Sequence, residues 1–185
     1  GNKTLLDLTR QGGRVIWMLQ SRLPGGQVIS IDEARQKAVQ FLKDRGFEDM
    51  CPTYFMQQEN TVTFNFAATQ DDVILYPDLV KVTVALDNGE VVGAETTGYL
   101  MSHRQRDLPK DRISQEQARA TINPRLEVTG GKLALVPVGA SDERLTYEFQ
   151  CRLGEETFLI YVNAQNGREE NVLKLIETEN GMLTM

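Results

Sequence analysis

Residues 82–94 read VTVALDNGEVVGA, and this stretch decides the fold. Apolar residues alternate at Val82 and Val84, which is the pattern of a strand with one buried face. Asn88-Gly89 follows, and this dipeptide is a strong short-range signal for a β-hairpin turn. The stretch therefore predicts two antiparallel strands joined by a tight turn.

The same hairpin pattern occurs twice more. The other copies are LDLTRQGGRVIWM at residues 6–18 and IYVNAQNGREENV at residues 160–172. The turn glycines of the three copies are 76 and 78 residues apart (Gly13, Gly89 and Gly167). A period of this length is domain-sized, so the sequence predicts an array of one small module, and such arrays usually function by presenting surface.

A second motif, I-S-x-[DE]-x-A-R, precedes the second and third hairpins. Ser30 and Glu33 in one copy have the spacing of a capping box, and so do Ser114 and Gln117 in the other. In a capping box each side chain accepts a hydrogen bond from a backbone amide of the first helical turn. The motif therefore predicts the start of a helix in each of the two later modules.

The first hairpin has no helix motif before it, so we expect it to end a module whose front half is missing. The predicted organisation is a truncated copy at residues 1–22, a second module at residues 23–106 and a third at residues 107–185. In each full module one helix packs on an antiparallel β-meander of about four strands, which is an α+β fold. Asn180-Gly181 predicts one more turn near the end of the chain.

The charge balance narrows the class of partner. The chain has a net charge of −6, whereas a nucleic-acid-binding protein needs a basic face. The same balance argues against non-specific adhesion to anionic membranes or cell wall. The longest apolar run is residues 15–19, far short of the roughly 20 residues that a membrane-spanning helix needs. We therefore expect no nucleic acid, and no membrane contact through this part of the protein.

Residues typical of enzymes and metal sites are scarce. His103 is the single histidine, and it lies in the connection between the two full modules. No Cys-x-x-Cys or His-Glu-x-x-His motif is present, so the sequence predicts no metal and no cofactor. Acidic pairs fall at turns, where solvated charges are common. We predict no catalytic residues and no enzymatic activity, and we expect Cys51 and Cys151 to be two buried thiols rather than a disulfide.

An unusual segment separates two predicted strands of the second module. Residues 71–78 read DDVILYPD, and they contain four consecutive apolar residues where connections are normally polar. One interpretation is that this inserted loop packs on the core of the neighbouring module. The other is that Val73, Ile74, Leu75 and Tyr76 form an exposed patch that contacts a partner.

A local excess of positive charge follows His103. Residues 104–112 contain four basic and two acidic side chains. One interpretation is a surface for an anionic partner, and the other is a set of ion pairs between modules. The candidate partner-binding residues are Val73, Ile74, Leu75, Tyr76, His103, Arg104 and Arg106.

These motifs carry a resemblance to a known family. A helix opening with I-S-x-[DE]-x-A-R, followed by a meander closing on V-x-V-x-x-x-x-G, resembles the PepSY module of metalloprotease propeptides and spore germination proteins. The stretches YPDLVKV at residues 76–82 and FLIYVNA at residues 158–164 are similar to one family of germination proteins with repeated PepSY modules. The resemblance covers essentially the whole chain.

The resemblance implies a role without catalysis. Germination proteins of this kind have an N-terminal membrane anchor and are partners of the spore cortex-lytic transglycosylase SleB. The implied location is the outer side of the inner spore membrane, in the cortex region. By analogy with propeptides, the array would stabilise, localise or inhibit SleB until germination.

Three other interpretations stay open. The chain is alternatively a module that binds cell wall or a small ligand, or an enzyme that uses a carboxylate pair. The third is structural, because a truncated first copy leaves an unpaired strand edge, and a homodimer that forms through this edge would then be an artefact of the truncation.

Overall fold

The computed structural model describes residues 2–139, 142–178 and 181–184. The predicted α+β class is confirmed. The helices are α1 (Ile31–Lys43), α2 (Thr97–Ser102) and α3 (Gln115–Arg119). The strands are β1 (Thr4–Leu8), β2 (Val15–Gln20), β3 (Met50–Gln58), β4 (Thr61–Gln70), β5 (Val73–Ala85), β6 (Val91–Glu95), β7 (Glu127–Val138), β8 (Asp142–Leu153), β9 (Glu156–Asn163), β10 (Glu169–Thr178) and β11 (Gly181–Thr184).

The chain folds into two compact units. Unit 1 comprises Gly1–Ala68, Asp78–His103 and Glu179–Gly181, and unit 2 comprises Thr69–Pro77, Arg104–Thr178 and Met182–Met185. Strand β5 is therefore divided, because its residues 73–77 belong to unit 2 and its residues 78–85 to unit 1. The predicted module limits of 1–22, 23–106 and 107–185 stay a prediction, since compactness alone does not define a repeat.

Unit 1 packs its long helix α1 on an antiparallel sheet, and it also contains the short helix α2. Its strand order is β1-β2-β6-β5-β4-β3, and Gly181 pairs with Met56 at the outer edge of β3. Both halves of the capping box that was predicted at Ser30 and Glu33 are present, so α1 begins where the sequence indicates. The apolar stripe of α1 packs on the sheet, and the core consists of Ala34, Ala38, Phe41, Leu42, Val62, Phe64, Phe66, Val80, Val82, Val84, Leu86 and Ala94.

Unit 2 repeats this plan with a shorter helix. Its strand order is β10-β9-β8-β7, and β7 also pairs in parallel with residues 74–75 of β5. The capping box at Ser114 and Gln117 is present, but α3 has only five residues. Asn123-Pro124 follows within one turn, and a proline cannot continue a helix.

The two motifs found in the sequence touch each other in both units. Gly89 and Gly167 have φ values of +76° and +72°, which glycine adopts without strain. A Cβ atom on Gly89 would lie 3.3 Å from Ile29, and one on Gly167 would lie 3.3 Å from Ile113. Each turn glycine therefore packs on the first isoleucine of the helix motif, which explains why the two motifs occur together.

Arg22 and Asp87 form a charged clamp inside unit 1. Both terminal nitrogens of Arg22 donate to the Asp87 carboxylate, at 2.7 and 2.9 Å, and the Gly25 amide donates to the same group at 2.7 Å. The hydrogen bonds from Arg22 and then from Gly25 lower the pKa of Asp87 from 3.8 to about 2. The clamp ties residues 22–25 to the hairpin turn that decided the fold.

The prediction of a loop at residues 71–78 was wrong. Asp71 and Asp72 have φ values of +50° and +62°, so they form the whole turn, and β5 begins directly at Val73. Two central residues with positive φ are the mark of a type I′ hairpin turn, which aspartate tolerates. Pro77 lies inside this strand, although a proline cannot donate a hydrogen bond to a ladder. The turn predicted at Asn180-Gly181 includes Asn180, which lies outside the described residues.

Candidate functional site

The segment at residues 73–76 is mostly buried. Val73, Ile74 and Leu75 are 0%, 7% and 1% exposed, and Tyr76 is half-buried. Ile74 and Leu75 pair with residues 134 and 135 of β7, inside unit 2. The burial favours the packing interpretation, and the expected exposed patch is absent at these three side chains. A partner contact by the segment stays a prediction.

His103 lies in unit 1 at the end of α2. Its Nδ1 lies 2.8 Å from Oδ2 of Asp78, a carboxylate that is fully buried. The imidazole ring stacks on Tyr99 with a centroid separation of 4.1 Å, and Tyr99 packs edge-on against Phe47. Tyr99 and His103 meet because residues four apart share one face of a helix. Burial raises the pKa of Tyr99.

Arg106 lies in unit 2, and its side chain is only 5% exposed. Its Nε and Nη2 donate to the two oxygens of Glu143, at 2.9 and 2.8 Å, and Arg104 donates to the same carboxylate at 3.1 Å. The hydrogen bond from Arg106 lowers the pKa of Glu143. Of the two interpretations of the basic segment, the geometry favours ion pairing, and these pairs lie inside one unit.

Gln70 fixes the backbone at the same place. Its side-chain amide donates to the carbonyl oxygen of Arg106 at 2.8 Å, and its side-chain oxygen accepts from the Arg106 amide at 3.0 Å. This pair of hydrogen bonds imitates one step of a β-ladder. It holds the segment after His103 against the end of β4 in unit 2.

A cleft of about 310 Å³ borders this network in unit 2. Its rim carries the exposed side chains of Lys110 and Arg112, together with those of Asp71 and Asp107. The basic excess predicted for residues 104–112 is therefore smaller at the surface, because Glu143 neutralises Arg106 in the interior. Lys110 and Arg112 are the basic groups of the rim that a partner can reach.

The sequence did not predict the two acidic residues that pair with His103 and Arg106. Glu143 is on β8, 37 residues from Arg106, and Asp78 is 25 residues from His103. Neither separation produces a local pattern. One signal was present for Asp78, since an acidic residue inside an apolar strand needs a partner when it is buried.

Replacing Glu143 by glutamine is expected to lower the unfolding free energy by about 2 kcal/mol at neutral pH, because it leaves the buried Arg106 guanidinium without its anion. The pKa of Glu143 is lowered in the folded state from 4.5. The stability that this carboxylate contributes is therefore full above that value and is lost as the pH falls through the lowered pKa. Denaturant unfolding of both proteins across this pH range checks the result.

The matched control is Glu155→Gln, because Glu155 is exposed in a turn of the same unit. Its effect is expected to stay within about 0.5 kcal/mol. An equal loss for Glu143→Gln at pH 7 and at pH 3 would contradict a role for the charge.

The two cysteines and the acidic side chains are the remaining candidates for chemical or metal-binding roles. Cys51 and Cys151 are free thiols, but the prediction that both are buried was wrong, because Cys51 is only partly buried. Burial raises the pKa of the Cys151 thiol. No group of three acidic, histidine or cysteine side chains suited to a metal ion occurs in the described part of the chain. Within the same residues, none of the helices has the length and apolar character to cross a membrane.

The fold, together with the repeated contact between the helix motif and the turn glycine, defines the class of protein. This is an α+β protein built from helix-on-meander modules, in which the candidate charged residues are held in ion pairs. A family model described as YpeB sporulation, PepSY1 and PepSY2 domains matches residues 1–109. The resemblance to PepSY modules is therefore confirmed.

Relatives extend this match over nearly the whole chain. Sporulation protein YpeB of Halalkalibacterium halodurans is 42% identical over 174 residues, and its Bacillus subtilis counterpart is 35% identical over 176 residues. Both alignments cover 94% of this chain and 39% of the relative. The solved C-terminal domain of Bacillus megaterium YpeB is similar with a TM-score of 0.86 and 37% identity, covering 95% of this chain and 78% of that one. The chain belongs to the YpeB family of sporulation proteins.

Proposed function

We propose that this chain is a non-catalytic interaction module of a spore protein, and that it binds the cortex-lytic transglycosylase SleB. Bound in this way, it stabilises, localises or restrains the hydrolase until germination. The observation that carries the proposal is membership of the YpeB family, combined with the PepSY modules that also occur in propeptides of hydrolases. The chain spans 39% of the length of these relatives, so the proposal concerns one part of a longer protein.

The surroundings of the polar candidates support a structural role for them. His103 is bonded to the buried Asp78, and Arg106 is bonded to Glu143. Groups engaged in this way position backbone segments, which is what a rigid binding module requires. Function then depends on the surface that the modules present.

The rim of the unit 2 cleft is the proposed contact surface. Lys110 and Arg112 are exposed there, and Arg104 of the same unit is 59% exposed. Charged groups at the rim of an interface mainly accelerate association and select the partner. We propose that they meet an acidic surface of the hydrolase.

Titration of this chain into purified SleB, with binding and release of cortex fragments followed together, tests the proposal. Binding is expected, and a fall in turnover would identify the chain as an inhibitor rather than a stabiliser. Reversing the rim charges with Lys110→Glu and Arg112→Glu is expected to weaken binding about tenfold, mainly through slower association. Arg106 is unsuitable for this test, because its reversal would disrupt the buried ion pair.

A double reversal with Arg125→Glu and Arg152→Glu is the matched control. Both arginines are exposed in unit 2 and lie outside the lining of the cleft, so the change in net charge is the same. Equal weakening by both double variants would contradict a specific rim contact. Absence of binding would contradict the proposal, and so would cortex-fragment release by this chain alone. Sedimentation with purified peptidoglycan would instead favour a wall-binding module.

We further propose that the longer protein places this module at the outer side of the inner spore membrane. A membrane anchor would lie in the part of the protein that this chain does not include. Fractionation of spores with an antibody against this chain checks the location.

A further inference from the structure

Two hairpin turns in the described part of the chain contain the dipeptide Asn-Gly, at residues 88–89 in unit 1 and 166–167 in unit 2. In this dipeptide the backbone nitrogen of glycine attacks Cγ of the asparagine, because glycine has no Cβ to hinder the approach. A new N–Cγ bond forms, the Cγ–Nδ2 bond breaks, and the side-chain nitrogen leaves as ammonia with the proton of the glycine amide. Water then opens the resulting succinimide ring to aspartate or isoaspartate.

Both turns hold the attacking nitrogen in a hydrogen bond. The Gly89 amide donates to the carbonyl oxygen of Ala85 at 2.9 Å. The Gly167 amide donates to the carbonyl oxygen of Asn163, also at 2.9 Å. In each turn the asparagine side-chain oxygen accepts from the backbone amide two residues later, at 2.9 Å. The succinimide therefore forms only when a turn opens locally, and the rate depends on how often it opens.

Arg22 cross-links the turn of unit 1. Its Nη2 donates to Oδ1 of Asn88 at 2.9 Å, and its two terminal nitrogens donate to the carboxylate of Asp87 at 2.7 and 2.9 Å. The Arg22 side chain is only 15% exposed, so water competes weakly for these contacts. Opening this turn breaks charge-assisted hydrogen bonds to two consecutive residues.

Neutral groups hold the turn of unit 2. Oδ1 of Asn163 accepts from the backbone amides of Gln165 and Asn166, at 2.9 and 3.2 Å. Gln165 has the position in this turn that Asp87 has in the other, and its side chain is exposed. Hydrogen bonds to a charged group are roughly twice as strong as neutral ones. We therefore expect the turn of unit 2 to open more often than the turn of unit 1.

We propose that Asn166 is a site of spontaneous deamidation in the folded chain, and that Arg22 protects Asn88 from the same reaction. The product has a carboxylate at position 166 and, as isoaspartate, one additional backbone atom. This turn packs on the helix motif, since a Cβ atom on Gly167 would lie 3.3 Å from Ile113. Modification is therefore expected to loosen the contact between hairpin and helix in unit 2. The proposal is independent of binding to the hydrolase.

Peptide mapping by mass spectrometry, during incubation of the purified chain at mildly alkaline pH, tests the proposal. Trypsin places the two asparagines in separate peptides, residues 82–104 and residues 153–168, and fragmentation distinguishes Asn166 from Asn163. Asn166 is expected to deamidate about tenfold faster than Asn88. Arg22→Gln is expected to raise the rate at Asn88 about tenfold and to leave the rate at Asn166 unchanged.

Arg168→Gln is the matched control, because it also removes one positive charge. Arg168 is exposed, and its backbone amide donates to Asn166, so the substitution retains that hydrogen bond. It is expected to leave both rates unchanged, and circular dichroism verifies the fold of each variant. In denaturant the two asparagines are expected to react at similar rates, which separates the effect of folding from that of the neighbouring residues.

Three results would overturn the proposal. The first is an equal rate at both asparagines in the folded wild-type chain, or no reaction at Asn166, and this comparison needs no variant. The second is an unchanged rate at Asn88 in Arg22→Gln. The third is a slower reaction at Asn88 in that variant, because the guanidinium would then activate the side-chain carbonyl group rather than restrain the turn.

Discussion

Replacing Ile74 by aspartate is expected to prevent unit 2 from folding. Ile74 is 7% exposed, its neighbours Val73 and Leu75 are fully buried, and it pairs with Ala134 of β7. A carboxylate at this position would be buried without a partner, which destabilises a protein by about 3–5 kcal/mol. A loss of this size approaches the whole stability of a small domain, about 5–15 kcal/mol.

Val172→Asp is the matched control for this prediction. Val172 is on β10 in the same unit, but 43% of its surface is exposed. Thermal unfolding by circular dichroism is expected to show a nearly unchanged midpoint for Val172→Asp and no cooperative transition of unit 2 for Ile74→Asp. If Ile74→Asp folds with the wild-type midpoint, the packing interpretation is wrong and the exposed-patch hypothesis returns.

Replacing Phe64 by alanine is expected to remove about 3–5 kcal/mol from the unfolding free energy of unit 1. Phe64 is 1% exposed. The centroid of its ring lies 6.0 Å from the ring centroid of Phe55 and 6.4 Å from that of Phe66. The substitution deletes a ring at the centre of this cluster, and the neighbouring strands cannot close the cavity without breaking their hydrogen bonds.

Leu23→Ala provides the comparison in the same unit, because 92% of the Leu23 surface is exposed. Its effect is expected to stay within about 0.5 kcal/mol. Denaturant unfolding followed by tryptophan fluorescence measures both variants, since Trp17 is in unit 1. Similar losses for the two variants would mean that the unit does not depend on a specifically packed core.

The local elements of the fold could be predicted. The capping boxes at Ser30 and Ser114, and the turn glycines Gly89 and Gly167, lie where the sequence indicates. These signals work because a cap or a turn involves backbone groups only a few residues apart. The repeat predicted the fold class, since one helix and one meander recur along the chain.

The candidate site was harder to predict, because its contacts join distant residues. Residues 73–76 have the composition of a buried strand, but we predicted that they belong to a loop inserted between two strands. Arginine normally lies at the protein surface, but the Arg106 side chain is buried in unit 2, where it forms an ion pair with Glu143. Nothing near Arg106 in the sequence identifies that carboxylate.

The amino-acid sequence by itself determined the modules, their helix starts, their hairpin turns and their family, because each depends on short stretches of chain. Only the tertiary structure decided which apolar residues are exposed and which charges are paired. The burial of Ile74 and the ion pair of Arg106 both follow from segments that meet across long separations in the sequence. The physical reason is that burial and ion pairing depend on the partners that folding brings together, and short-range patterns do not encode those partners.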